Sequence, residues 1–135
     1  MSRLKKLMDL IHKYKPITVA GGAMFGPGYQ ERQVDNLVAM VKEGGFTPAE
    51  ALRSATSDAA RVLQWSGPMH PYKDAKLGVI EEGAYADLLV VNGNPLEDIE
   101  VLQNNIDVVL KDGQCQKYQL PDGSLQVVTF RVGQN

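Results

Sequence analysis

Cysteine is almost missing from these 135 residues. Cys115 stands alone, which excludes an internal disulfide framework and fits a reducing compartment. Histidine is nearly as scarce: His12 and His70 are the only two, too few for a centre built from several imidazoles. No apolar run approaches the ~20 residues needed to cross a bilayer. The stretch from Leu7 to Ile11 is interrupted by Asp9, so the N-terminus has neither the apolar core nor the small-residue cleavage site of a secretory leader, and a cytoplasmic location is expected. An excess of one charge is also lacking. Fourteen Lys and Arg stand against sixteen Asp and Glu, a formal net charge of −2, which argues against nucleic-acid and membrane-surface partners. The basic cluster Arg3, Lys5, Lys6, Lys13 and Lys15 is expected to spread over the solvent side of a helix. At 44% hydrophobic and 22% charged residues, the composition is that of an ordinary globular protein.

The apolar pattern divides the chain in two. Leu4, Leu7, Met8 and Ile11 recur at helical spacing and predict a helix over 3–14, ended by Pro16. Residues 17–20, Ile-Thr-Val-Ala, read as a short strand. The segment from Gly21 to Gly28 holds four glycines and a proline, so it reads as a loop at a strand end. Val34, Leu37, Val38 and Val41 predict a second helix over 30–43, stopped by Gly44 and Gly45. Thr47-Pro48-Ala49-Glu50 is a capping box with proline in the first helical position, and Thr56 or Ser57 is expected to cap a further helix over 58–65. Beyond Gly67 the strand period takes over. Leu88 to Val91 reads as a buried strand and Leu96 to Leu102 as a short, partly helical connection. Ile106 to Leu110 and Gln114 to Leu120 read as strands joined by a tight turn at Asp112-Gly113, and Leu125 to Val132 as a last strand. A helical first half and a β second half suit an α+β domain or the seam between two domains of a larger protein.

Three blocks carry a family resemblance: Phe46 to Thr56, Leu77 to Val91, and Asn92 to Ile99 followed by Val109 to Gly113. In this order and spacing they resemble the C-terminal part of the amidohydrolase superfamily, in its imidazolonepropionase and Xaa-Pro dipeptidase-like branch. The resemblance implies a fold that runs from α/β to α+β. The last part of a (β/α)8 barrel, about three helices and one strand, is followed by antiparallel strands of a partial β-sandwich. The implied boundary separates a barrel segment, 1–66, from a sandwich segment, 67–135. Residues 3–14 would be the seventh barrel helix, 17–20 the eighth strand and 30–43 the eighth helix. Members of this superfamily hold zinc or another divalent metal on histidines and on an aspartate ending the eighth strand. The metal lowers the pKa of a bound water and the aspartate takes its proton.

That aspartate position falls near Ala23, whose methyl group can neither bind a metal nor accept a proton, and no Asp or Glu lies between Asp9 and Glu31. No catalytic residue and no metal ligand is therefore expected in this chain, and no cofactor of its own. Gly21, Gly22, Ala23, Met24, Phe25 and Gly26 are either the remnant of a substrate-facing loop or a plain turn between strand and helix. His12 and His70 read as structural, Cys115 as a packed thiol, Glu81-Glu82 as a solvated turn, and Asp107 and Asp112 as residues needing no function. The resemblance makes Asp87 structural, at the entry to a sandwich strand. The expected activity is therefore that of a truncated metal-dependent hydrolase of amide or dipeptide C–N bonds, inactive alone. The alternative is a non-catalytic binding or self-assembly module, homo-oligomeric through exposed apolar faces. A third arrangement, in which a separate chain completes a split enzyme, is opposed by Ala23.

Overall fold

The computed structural model describes residues 3–20, 33–119 and 125–127. The chain divides into two compact units, Met1–Pro71 and Tyr72–Asn135. In the first unit, α1 spans Arg3–Tyr14, α2 Val34–Lys42, α3 Pro48–Ala55 and α4 Ser57–Gln64. Helix α1 ends where Lys15 takes a positive φ of 44° and Pro16 blocks continuation. Residues 15–20 then run without regular structure, tied by the Ala20 N–H, which donates to the Ser54 carbonyl at 3.0 Å. The strand expected over 17–20 is thus not formed. A strand needs a neighbour to complete its ladder, and none of the described residues of this unit is in a strand. The first unit accordingly holds four helices and no strand among its described residues, where about three helices and one strand were expected.

Local chemistry sets the helix ends. After α2, the N–H groups of Glu43 and Gly44 both donate to the Ala39 carbonyl, and Phe46 N–H donates to the Met40 carbonyl. A Cβ at Gly44 would lie 2.7 Å from the Met40 oxygen, and Gly45 has a φ of 73°, so each glycine is required for a different reason. The capping box of α3 is complete. Thr47 Oγ1 accepts from Glu50 N–H, while Glu50 Oε2 accepts from Thr47 N–H at 2.9 Å and from the Thr47 hydroxyl at 2.8 Å. These bonds, from the Thr47 backbone first, hold the Glu50 carboxyl below its usual range. Small side chains make the contact face of α3: Ala51 and Ser54 are buried, and the Ser54 hydroxyl is satisfied by the Ala51 carbonyl at 2.6 Å. Thr56 occupies the N-cap position of α4 but does not cap it. Its hydroxyl bonds back to the Leu52 carbonyl at 2.8 Å. Leu37 of α2 and Ala60 of α4 complete the buried apolar set of this unit.

In the second unit, β1 (Leu88–Val91), β2 (Ile106–Lys111), β3 (Gln114–Gln119) and β4 (Leu125–Val127) form an antiparallel sheet in chain order, with a one-turn helix α5 (Val101–Asn104) before β2. Leu88 pairs with Leu110 and Lys111 with Gln114. Asp112 and Gly113 both have positive φ, 53° and 73°, the geometry of a two-residue hairpin turn whose twist matches the strands. Ile99 and Leu102 are buried and anchor the connection between β1 and β2. One expectation fails here: β1 is an edge strand, and Leu89 and Val90 are 51% and 49% exposed. A continuous apolar run is compatible with burial on both faces but does not supply the layers that would cover them. The part of the last expected strand beyond Val127, and the turn at 121–123, lie outside the described residues.

Two stability measurements follow. Thr47→Ala is expected to cost about 1 kcal/mol in chemical denaturation, through loss of the cap. Ile99→Ala, a truncation of the largest fully buried side chain among the described residues, is expected to cost about 2–4 kcal/mol.

Candidate functional site

The segment Gly21 to Gly26, with Ala23, lies outside the described residues. What is described is the ground leading to it. Residues 18–20 run along a groove of about 440 Å3 between α1 and α2, lined on one side by Met8 and Ile11 and on the other by Ala39, Met40 and Phe46. Its lining is mostly apolar, with Thr18, Asn36 and Glu43 as the polar side chains. A groove of this kind can hold an apolar group. Among its described lining residues Glu43 is the one carboxylate.

Several residues with metal-binding chemistry are engaged by structural partners. His12 Nε2 lies 3.0 Å from the Gly44 carbonyl, and since a carbonyl can only accept, that nitrogen carries the proton. The ring also packs on Phe46, with centroids 5.2 Å apart. His12 therefore fastens the end of α1 to the stop of α2. Glu50 is occupied by its capping box. His70 follows the 3-10 turn Gly67–Met69, its backbone N–H donating to the Gly67 carbonyl. Cys115 is half-buried in β3. Among the described residues, no three His, Cys, Asp or Glu side chains come together in a group able to hold a metal ion.

Asp87 has the most developed surroundings of any charged group described. Its Oδ2 accepts from Lys111 Nζ at 2.6 Å and its Oδ1 from the Asp112 N–H at 2.8 Å, while the neighbouring Ala86 carbonyl accepts from Gly113 N–H at 2.9 Å. The Lys111 ammonium also stands 5.0 Å from the Tyr72 ring centroid, and Tyr72 meets Tyr85 edge to face at 5.4 Å. Asp87 thus clamps the start of β1 to the β2–β3 turn. Lys111 and Tyr72 escape sequence reasoning, because no local pattern ties residue 111 to residue 87, a separation of 24.

Burial pushes the Asp87 carboxyl upward, but the Lys111 bond and the Asp112 N–H outweigh it and leave the pKa below the usual carboxylate value. The bond to Asp87 raises Lys111 above the ordinary lysine value. A depressed aspartate stabilises the fold above its unfolded pKa, and that contribution is lost as pH falls through the folded value. A raised lysine stabilises below its unfolded pKa, and its contribution is lost as pH rises through the folded value. The clamp is therefore complete between the ordinary aspartate and lysine values. With Lys111 partly exposed, Asp87→Asn is expected to cost no more than about 1 kcal/mol at neutral pH. In urea denaturation across pH, the gap from the parent should close as the pH falls below about 4.

Comparison with known proteins places this architecture. The ochratoxinase of Aspergillus niger is 37% identical over 87 residues, which are 64% of this chain and 16% of the ochratoxinase. A solved amidohydrolase superposes with a TM-score of 0.65 at 31% identity, covering 82% of this chain and 25% of that one. A solved protein from Bifidobacterium longum, provisionally assigned as a prolidase, gives 0.64 at 29% identity, covering 80% of this chain and 25% of that one. This chain therefore spans a quarter or less of the length of these relatives. The sequence model of the amidohydrolase family matches residues 21–115, well over half of the chain, and this protein belongs to that family.

Proposed function

We propose that this chain is a scaffold segment of a metal-dependent amidohydrolase acting on amide or dipeptide C–N bonds, and that it does not turn over substrate by itself. The observation that carries the reading is the use of three of its ligand-type side chains. His12, Glu50 and Asp87 are bound to Gly44, Thr47 and Lys111 with Asp112, and the sequence holds only two histidines in all. Ala23 removes the carboxylate expected near the end of the eighth strand. In this reading residues 1–66 are the end of a (β/α)8 barrel and residues 67–135 part of a β-sandwich. The prolidase-like neighbour supports the dipeptide end of the substrate range. The solitary Cys115 supports a cytoplasmic location, and no helix among the described residues is long and apolar enough to cross a membrane.

A second reading is favoured by one observation. Large apolar side chains, among them Leu7, Leu10, Tyr14 and Leu96, stand exposed, as they would on a module that binds or self-assembles.

The first reading is tested with the purified chain, zinc or manganese, an Xaa-Pro dipeptide and a cyclic amide. Elemental analysis after dialysis should find no stoichiometric metal, and neither substrate should be consumed. Ala23→Asp should leave both results unchanged, because a restored base without imidazole ligands still has no metal-bound water to act on. One metal per chain, with turnover that a chelator abolishes, would overturn the reading.

A further inference from the structure

Helix α1 presents one broad apolar side. Met8 and Ile11 line the groove against α2, and Leu7, Leu10 and Tyr14, spaced three and four apart along the adjoining outer stripe of that side, are 51%, 51% and 68% exposed. The outer stripe is bordered by Lys6 and Lys13. Lys13 Nζ stands 5.1 Å from the Tyr14 ring centroid, and Lys6, Asp9, Leu10 and Lys13 surround a shallow hollow of about 320 Å3. This surface is both apolar and basic.

The second unit carries a surface of opposite charge. Leu96 is 58% exposed, with the exposed acids Glu97 and Asp98 beside it. The turn that presents it is held from within. Leu96 N–H donates to Asn94 Oδ1 at 3.1 Å, the N–H groups of Glu97 and Asp98 donate to the Asn94 carbonyl at 3.0 Å, and Asp98 Oδ1 accepts from Glu100 N–H. Ile99, buried immediately behind, anchors it. Such a turn loses little freedom on docking. The contrast extends to the whole units. Residues 1–71 carry nine Lys or Arg against six Asp or Glu, a formal +3, and residues 72–135 carry five against ten, a formal −5.

We propose that two copies of this chain associate through the Leu7–Leu10–Tyr14 face of α1 on one copy and the Leu96–Asp98 turn on the other. The proposal rests on the self-assembly reading above and names its surfaces. Charge decides the pairing. Two α1 faces brought together would set Lys6 and Lys13 against their own counterparts, and two turns would oppose acid to acid, whereas α1 against the turn places lysine beside carboxylate around a shared apolar contact.

The experiment is sedimentation of the whole chain over a range of concentrations and salt. Association is expected at low salt. It should weaken by about tenfold or more from about 0.01 M to about 1 M salt, as the screening length falls from roughly 30 Å to roughly 3 Å. The double variant Lys6→Glu/Lys13→Glu and the single variant Glu97→Lys should each be impaired alone, and an equimolar mixture of the two should regain association. Asp98 is left in place because it holds the turn. A wild-type chain that stays monomeric throughout, an association indifferent to salt and to both variants, or a mixture no better than its components would each overturn the proposal. The salt series needs no variant, so a substitution that failed to fold would not shield the idea. A monomeric chain free of metal and turnover would overturn this pairing and leave the scaffold reading intact.

Discussion

Thin burial governs the described part of this chain. Five apolar side chains are buried among the described residues, Leu37, Ala51, Ala60, Ile99 and Leu102, and two of the five are alanines. Ten large hydrophobic residues among the described ones are exposed. Packing of the described side chains alone therefore does little to dictate their geometry. Hydrogen bonds at chain reversals take over part of that task. The Thr47–Glu50 box starts α3, His12 joins α1 to the end of α2, the Asn94 turn sets up α5, and Asp87 ties β1 to the hairpin. Each is a polar device at a point where the backbone would otherwise leave groups unsatisfied.

The same devices occupy several residues whose chemistry would otherwise suggest a site. His12 directs its Nε2 proton at the Gly44 carbonyl, which ties two helix ends together and leaves Nδ1 with its lone pair. Asp87, with an ammonium on one oxygen and a backbone N–H on the other, is tuned to stay ionised, the reverse of a proton acceptor poised near neutrality. Membership in the amidohydrolase family is thus carried by scaffold, and the side chains that hold the scaffold up are the ones a reader would first suspect of catalysis.

Much of the scaffold was legible before any coordinates. Thr47-Pro48-Ala49-Glu50 states its structure locally, since cap, first-turn proline and third-position glutamate lie within four residues. Asp112-Gly113 does the same for the hairpin, because both positions need positive φ. The strand expected over 17–20 was misjudged because Ile-Thr-Val-Ala expresses a preference, and a strand is made by its neighbour. Of the two caps expected for α4, Thr56 or Ser57, Thr56 takes the N-cap position without capping, because its hydroxyl turns back to the carbonyl four residues earlier, a choice that residue type leaves open.

The sequence by itself determined what depends on contacts a few residues apart: where helices begin and end, and where the hairpin turns. Only the tertiary structure decided what depends on distant partners. Lys111 lies 24 residues from Asp87 and His12 lies 32 from Gly44, and nothing in the intervening residues encodes either meeting. Burial was decided at the same level. Leu88–Val91 reads the same whether covered or bare, because coverage is a property of the layer above a strand and that layer is supplied by other parts of a fold.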